Sequence, residues 1–450
     1  MTSGDWRRHL VRWTDLRTSR GLGLFLTAAF LFRLAFGLLN EYWAADEIQI
    51  QLIGLKFYTT GAWPFFGPDV THTHTQIPGA LQGLLVGGPM FVLPIPEAPF
   101  ILVNLLSLGS LSLLAWYICR RIPQLPRWIV WPWLFTAPWT LHYGAHVLNT
   151  DYLMTGAILF WVGLWESLPG LRLAVIPRLT AGLMIGFGLG WIAQLHMSWP
   201  VLLPLVAYAG WSAVRREDGE WRRWVLGLLA GGVVIGLLFL PTLLVYGAGE
   251  ATGGTGSNLM FAHRNPAELS VTIAARFLSF ASYELAYWLG GDTASRVGLL
   301  SRHPWAIPFG AFLFVFGYIQ PVVLAVGFFR KRRLQGWHEA RRLVVALLVI
   351  LFVAYNFSVV GPHSHTFYVA MPLAMFYSMF VWQRWLESRR WRRFAVLVLI
   401  SGLIVSAAFM ADYGPTRSLY RDRARVVKAM RLHDYHLVGE RRSTEWGCCY

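Results

Sequence analysis

The feature that most constrains this chain is an alternation: apolar runs about as long as a bilayer is thick, broken at regular intervals by clusters of arginine. The first run, Gly21 to Leu39, follows Arg7, Arg8, Arg12, Arg17 and Arg20. The second, Phe100 to Ile118, ends at Arg120, Arg121 and Arg127. A helix rising ~1.5 Å per residue needs ~20 apolar residues to cross the hydrocarbon core. Short basic segments resist translocation and stay in the cytoplasm. Continued along the chain, the pattern adds Trp128–His146, Tyr152–Trp165, Leu179–Leu195, Trp199–Val214, Trp224–Tyr246, Pro304–Phe329, Leu343–Val360, Phe367–Trp385 and Phe394–Ala411. The fold class expected is therefore all-α: a polytopic membrane protein of about 11 transmembrane helices, its N-terminus cytoplasmic.

Charge supports that topology. Of the 39 Lys and Arg, 25 fall in segments assigned to the cytoplasm and five (Lys56, Arg264, Arg276, Arg296, Arg302) in outer loops. A net charge of +16 could suggest nucleic acid, but the basic residues are interleaved with apolar spans and form no patch. Only 14% of residues are charged and 56% are hydrophobic, far from a soluble domain. Parity requires the Gly- and Pro-rich run Ile77 to Leu93 to be interfacial or re-entrant, since a crossing there would invert every later loop. The first outer loop then covers residues 40–99, within a membrane domain of residues 1–411 that has a second outer segment at 247–302. Residues 412–450 form a short basic tail, placed outside by parity. No small-residue cleavage site follows the first run, which reads as a retained signal anchor. Three cysteines, Cys119, Cys448 and Cys449, make no disulfide framework.

With sides assigned, the polar residues of the outer face stand out. Asp46 and Glu47 follow the first span directly, behind the aromatic pair Tyr42 and Trp43, at headgroup depth. Asp151, after Asn149 and Thr150, opens a later span. It could be a helix cap, but it is the only acid between Glu97 and Glu166, and a carboxylate at a membrane boundary is costly enough to suggest function. Gln194 and His196 occupy another outer turn, and His363 and His365 a third. Asp46, Glu47, His72 and His74 could hold a divalent metal, although their spacing matches no closed zinc pattern; no cofactor is demanded. The segment from Gly247 holds Gly253, Gly254, Gly256 and Arg264, a glycine-rich stretch that is no P-loop and reads equally as a solvent-exposed loop or an anion cradle. Arg276 and Tyr283 lie on Leu269–Leu289, expected to be a helix at the membrane surface.

Acids, cations and aromatic rings collected at an outer membrane surface suit glycosyl transfer from a lipid-linked sugar phosphate. A carboxylate takes the proton of the attacking hydroxyl, while cations and amides stabilise the leaving phosphate. The Asp46–Glu47 pair opening the first outer loop, the surface-lying segment after it, and Asn149, Thr150 and Asp151 opening a later helix resemble the polytopic glycosyltransferases of the C-type fold. Closest in kind are the bacterial relatives of dolichyl-phosphate-mannose protein mannosyltransferases and of lipid A aminoarabinose transferase, and the resemblance covers roughly residues 13–385. It implies that Asp46 is the catalytic base, with Glu47 as its neighbour and Asp151 as the second acid. It also implies a polyprenyl-phosphate sugar donor and a lipid, glycan or protein acceptor, in the inner membrane of a bacterial cell envelope. Two departures stand out. Thr75, Gln76, Ile77, Pro78, Gly79 replaces a Lys-Pro-Pro common in relatives, and Gln194, Leu195, His196 replaces a Thr-Lys-Gly. Arg264, Arg276, His196, His363 and Lys56, in falling order, are the expected phosphate ligands, with Gln194, His365 and Tyr283 beside them. A lipid transporter or flippase is the rival reading, but the span interiors carry almost no ionisable residues and the halves do not repeat.

Overall fold

A computed structural model describes residues 18–40, 45–70, 75–215, 219–251, 262, 264–283, 298–299, 301–330, 334–358, 360–413 and 440. The chain is dominated by α-helices: α1 (Ser19–Leu39), α2 (Ala45–Thr60), α3 (Leu81–Val92), α4 (Ala98–Arg121), α5 (Arg127–Thr136), α6 (Pro138–His142), α7 (Asn149–Ser167), α8 (Arg178–Ala193), α9 (Leu203–Val214), α10 (Trp221–Gly236), α11 (Leu240–Ala251), α12 (Pro266–Ser279), α13 (Ile307–Phe329), α14 (Trp337–Asn356), α15 (Met371–Leu386) and α16 (Arg389–Tyr413). Strands β1 (Phe66–Val70) and β2 (Thr75–Pro78) pair antiparallel, with Asp69 opposite Gln76. Among the described residues, four helical stretches are long and apolar enough to cross a membrane: Ser19–Leu39, Ala98–Arg121, Pro304–Phe329 and Arg389–Asp412. Multi-pass membrane insertion follows.

Helix α7 is the centre. All but its first residue and Leu159 are buried, as expected of a helix apolar on every side. Glycines let its neighbours approach closely. A Cβ added at Gly182 or Gly186 of α8 would lie 2.1 or 2.0 Å from a carbonyl oxygen of α10, and one at Gly227 or Gly231 of α10 would lie 2.0 or 2.3 Å from one of α8. At Gly188 the same addition meets the Gly156 carbonyl of α7 at 2.6 Å. Small residues four apart bring helix backbones into contact where lipid supplies no hydrophobic drive. Helices α7, α8 and α10 thus form a tight slab from which the ends of α7 and α8 project fixed side chains.

Two expected spans are broken. Trp128–His146 divides at Ala137 into α5 and α6, where Pro138 lacks the amide a continuous helix would use. Trp224–Tyr246 bends by 75° between α10 and α11, and α11 lies over the hairpin: Thr242 Oγ1 donates to the Phe65 carbonyl (2.8 Å), and Tyr246 packs edge-on against Phe66 (4.9 Å). Helix α3, 12 residues long, rises only about 18 Å, short of a ~30 Å hydrocarbon core. The supposed surface helix at 269–289 ends at Ser279. Tyr283 then enters the helix bundle, where its backbone amide donates to Gln320 Oε1, partway along α13 (2.8 Å). The buried residues of α12, Leu269, Ile273 and Phe277, recur at helical spacing, a pattern that a bilayer surface and a protein groove satisfy equally well.

Candidate functional site

The site begins with Arg33. Its side chain is fully buried, and its guanidinium donates to the carbonyls of Phe135 (3.0 Å), Thr140 (2.8 Å) and Gly144 (2.7 Å). Those are the oxygens that the α5–α6 break and the following turn leave without helical partners. A buried forked cation thereby holds residues 137–146 in place. His146 continues the clamp, one ring nitrogen against the Asn40 carbonyl at the end of α1 (3.0 Å) and the other against His142 O (3.1 Å). The His146 amide donates to Asp151 Oδ1 (2.8 Å) in the first turn of α7.

Asp151 is fully buried, and its Oδ2 has no hydrogen-bond partner among the described residues. The charges of Glu47 and Arg33 both act on it. Glu47, in the first turn of α2, is itself buried. Two acids more than a hundred residues apart in sequence, one in the first turn of α2 and one in the first turn of α7, are therefore coupled electrostatically. Asp46 shares the first turn of α2 with Glu47; its side chain, like His72 and His74, lies outside the described residues. So does the glycine-rich stretch 252–261. Among the described residues no group of three His, Cys, Asp or Glu could hold a metal ion.

A basic cluster adjoins the acids. Asn149, two residues before Asp151, donates through Nδ2 to the Leu195 carbonyl (3.4 Å), fixing the turn that carries His196. His196 interacts electrostatically with His365, and His365 with His363 and Arg276. The His363 and His365 rings stack at 5.6 Å. Arg276 Nη1 donates to Ser364 Oγ (3.5 Å) and Arg264 Nη2 to Ser358 O (3.1 Å). A Cβ on Gly361 would stand 3.3 Å from Arg264 Nη1 and 3.8 Å from His363 Nε2. Five of the expected ligands, Arg264, Arg276, His196, His363 and His365, therefore converge on one turn from four separate segments. Burial lowers His196 to about 3 and His365 to about 4, with the facing imidazole adding to each. At neutral pH these two rings are uncharged, and the positive charge belongs to the arginines.

The other expected residues sit elsewhere. Gln194 is buried against the Gly79 turn after β2, its Nε2 donating to the Ile235 carbonyl at the end of α10 (2.9 Å). Lys56 is paired with Glu440 (2.6 Å), whose backbone oxygen also accepts from Gln76 Nε2 (3.1 Å). Tyr283 lines an apolar groove with Trp133, Gln320 and Trp382. Arg33 and His146 are not among the site residues that the sequence points to, although Arg33, a lone charge within an apolar run, is the kind of residue that marks function or structure inside a membrane.

No protein-family model matches the sequence, and neither does any curated protein. Solved structures do. ArnT from Cupriavidus metallidurans bound to undecaprenyl phosphate superposes with a TM-score of 0.52 at 14% identity, over 92% of this chain and 79% of that one. The apo state of the same protein gives a TM-score of 0.48 at 13% identity, over 87% and 75%. At this identity the likeness concerns architecture alone: the chain shares the fold of that ArnT.

Proposed function

We propose that this protein is a membrane glycosyltransferase that moves a sugar from a polyprenyl-phosphate donor to a lipid, glycan or protein acceptor. The reaction takes place on the extracytoplasmic face of the bacterial inner membrane, in an eleven-span domain of residues 1–411. The observation that carries the reading is the adjacency of two unlike clusters, the buried acids Glu47 and Asp151 and the Arg264–Arg276–histidine turn, joined by the Asn149–Leu195 hydrogen bond. A sugar phosphate ester has the same polarity: an electrophilic anomeric carbon at one end, an anionic leaving group at the other. That an ArnT of the same fold is bound to undecaprenyl phosphate supports the donor class.

In this reading Asp46 takes the proton from the acceptor hydroxyl as its oxygen attacks the anomeric carbon. The new C–O bond forms as the bond to phosphate breaks, on opposite faces, so configuration inverts. Arg264 and Arg276 receive the charge developing on the departing phosphate. The neutral His196 and His365 rings contribute N–H groups to the same oxygens. Asp151 and Glu47, electrostatically coupled under the influence of Arg33, orient the sugar and hold the base. The test is binding of undecaprenyl phosphate to the purified protein. Arg264→Gln and Arg276→Gln should each weaken it by about tenfold or more while the melting midpoint stays put. Unaltered affinity in both variants would remove the phosphate site from this turn.

A further inference from the structure

A second site lies at the arginine-rich start of α16, which the arginine topology places across the membrane from these clusters. Four arginines, Arg389, Arg390, Arg392 and Arg393, crowd the first turn of that helix, which contains no acid. Helix polarity favours acids there and penalises cations. Three of the four, with Trp128 at the start of α5 and Val396 one turn on, line an open recess. Arg392 is fixed in place, donating to the carbonyls of Leu386 (2.6 Å) and Glu387 (2.9 Å) at the end of α15. Arg389 and Arg393 make no hydrogen bond or ion pair among the described residues, and Glu387, exposed on the adjoining turn, is the nearest carboxylate in sequence. Trp128 is 47% exposed beside them.

On other faces of the same two helices runs an apolar groove. Its walls include Trp133 of α5, Phe316 of α13, Trp382 of α15, and Phe394, Ala395 and Val398 of α16. A topology signal needs arginines but neither a recess between them nor a greasy channel on the same helices. We propose that this is a binding site for an anionic glycerophospholipid of the cytoplasmic leaflet: its phosphate on Arg389 and Arg393, its glycerol over the Trp128 indole, one acyl chain in the groove. Charge selects the occupant, because anionic lipids of that leaflet are the counterions available to a basic pocket between helices. Position excludes the sugar carrier. The far end of α16, where Asp412 binds Arg302, lies 23 residues from Arg389, or about 35 Å at 1.5 Å per residue. A headgroup held at the acids cannot also lie here.

The full-length protein, purified in detergent and stripped of lipid, would be titrated with dioleoylphosphatidylglycerol and dioleoylphosphatidylcholine, with bound lipid counted by native mass spectrometry. Wild type should prefer phosphatidylglycerol on the order of tens-fold, and Arg389→Gln/Arg393→Gln should bring the preference close to one. Ala395→Phe, which fills the groove without touching charge, should reduce retention of both lipids at least about fivefold. Equal binding of the two lipids by wild type overturns the proposal, as does a preference that survives the double substitution or retention that survives Ala395→Phe. Competition by inorganic phosphate alone, or by undecaprenyl phosphate in a manner lost with the two arginines, would assign the pocket to a different occupant and overturn it as well.

Discussion

Replacing Arg33 by methionine tests how the acids are held. The substitution keeps the volume and removes all three donors, leaving the carbonyls of Phe135 and Thr140 buried without them and that of Gly144 with only the Ser107 hydroxyl. Each such loss costs about 1–3 kcal/mol. Against this, methionine relieves the desolvation of a wholly buried cation, an offset of a few kcal/mol, while Asp151 loses the positive charge that acts on it. The balance is a net loss of about 3–5 kcal/mol, the range found when one member of a buried polar set is removed. At ~2.1 cal/mol/K of unfolding entropy per residue, a chain of this length should melt about 4 °C lower. Arg33→Lys, with a single ammonium to share among three acceptors, should fall between. The assay is the melting midpoint in detergent, together with amide exchange over residues 137–151, which should quicken selectively. An unchanged midpoint with unchanged exchange in Arg33→Met would refute the idea that this guanidinium fixes the turn before Asp151.

Other predictions follow from the same geometry. Gly79 has φ +109° and faces Gln194, whose Oε1 would lie 2.6 Å from an added Cβ; Gly79→Ala should cost about 1–3 kcal/mol, read as a lower midpoint and a faster proteolytic cut in the hairpin. Gly227→Ala should force α8 and α10 apart and lower the midpoint. Gly232→Ala, where nothing lies within 4 Å, should leave it unchanged or raise it by up to ~1 kcal/mol of helix propensity. Asp412 is held below its ordinary value by hydrogen bonds from Arg302 first, then by the charges of Arg302 and His303. A depressed carboxyl stabilises the fold above its ordinary value and loses that contribution as pH falls through the lower folded one. Wild type should therefore lose its advantage over Asp412→Asn as pH falls below the ordinary carboxyl value of 3.8 and through the lowered folded one. Because Arg302 is largely solvent-exposed, that advantage should be only about 0.5–1 kcal/mol in thermal melts.

Part of the architecture was readable from charge and hydropathy: Ser19–Leu39, Ala98–Arg121, Pro304–Phe329 and Arg389–Asp412, each beside an arginine cluster, are helical and apolar enough to cross a membrane. The acids at 47 and 151 were legible because each is a costly group in an apolar context. Gly182 with Gly186, and Gly227 with Gly231, repeat the four-residue spacing of close helix contacts and could have been paired in advance. The bends before Pro138 and Pro241 were less accessible, since Pro89, Pro132 and Pro321 lie inside α3, α5 and α13 without breaking them, and only tertiary packing decides. Tyr283 was misplaced because an amphipathic pattern reports a face and not what covers it. The convergence of Arg264, Arg276, His196 and His365 depends on four segments meeting, which no local spacing encodes. Lys56 was read as free to meet phosphate, and the structure gives it a carboxylate from residue 440.

The central claim is that acids gathered at the start of α2 and α7 act on a sugar presented by a polyprenyl phosphate. The most direct measurement is transfer of radiolabelled sugar from undecaprenyl-phosphate-linked donors to acceptors in membranes containing wild type, Asp46→Asn or Asp151→Asn. Both variants should bind undecaprenyl phosphate as wild type does and lose transfer by about a hundredfold or more. Full transfer by Asp46→Asn, with its expression and melting midpoint unchanged, would contradict the account.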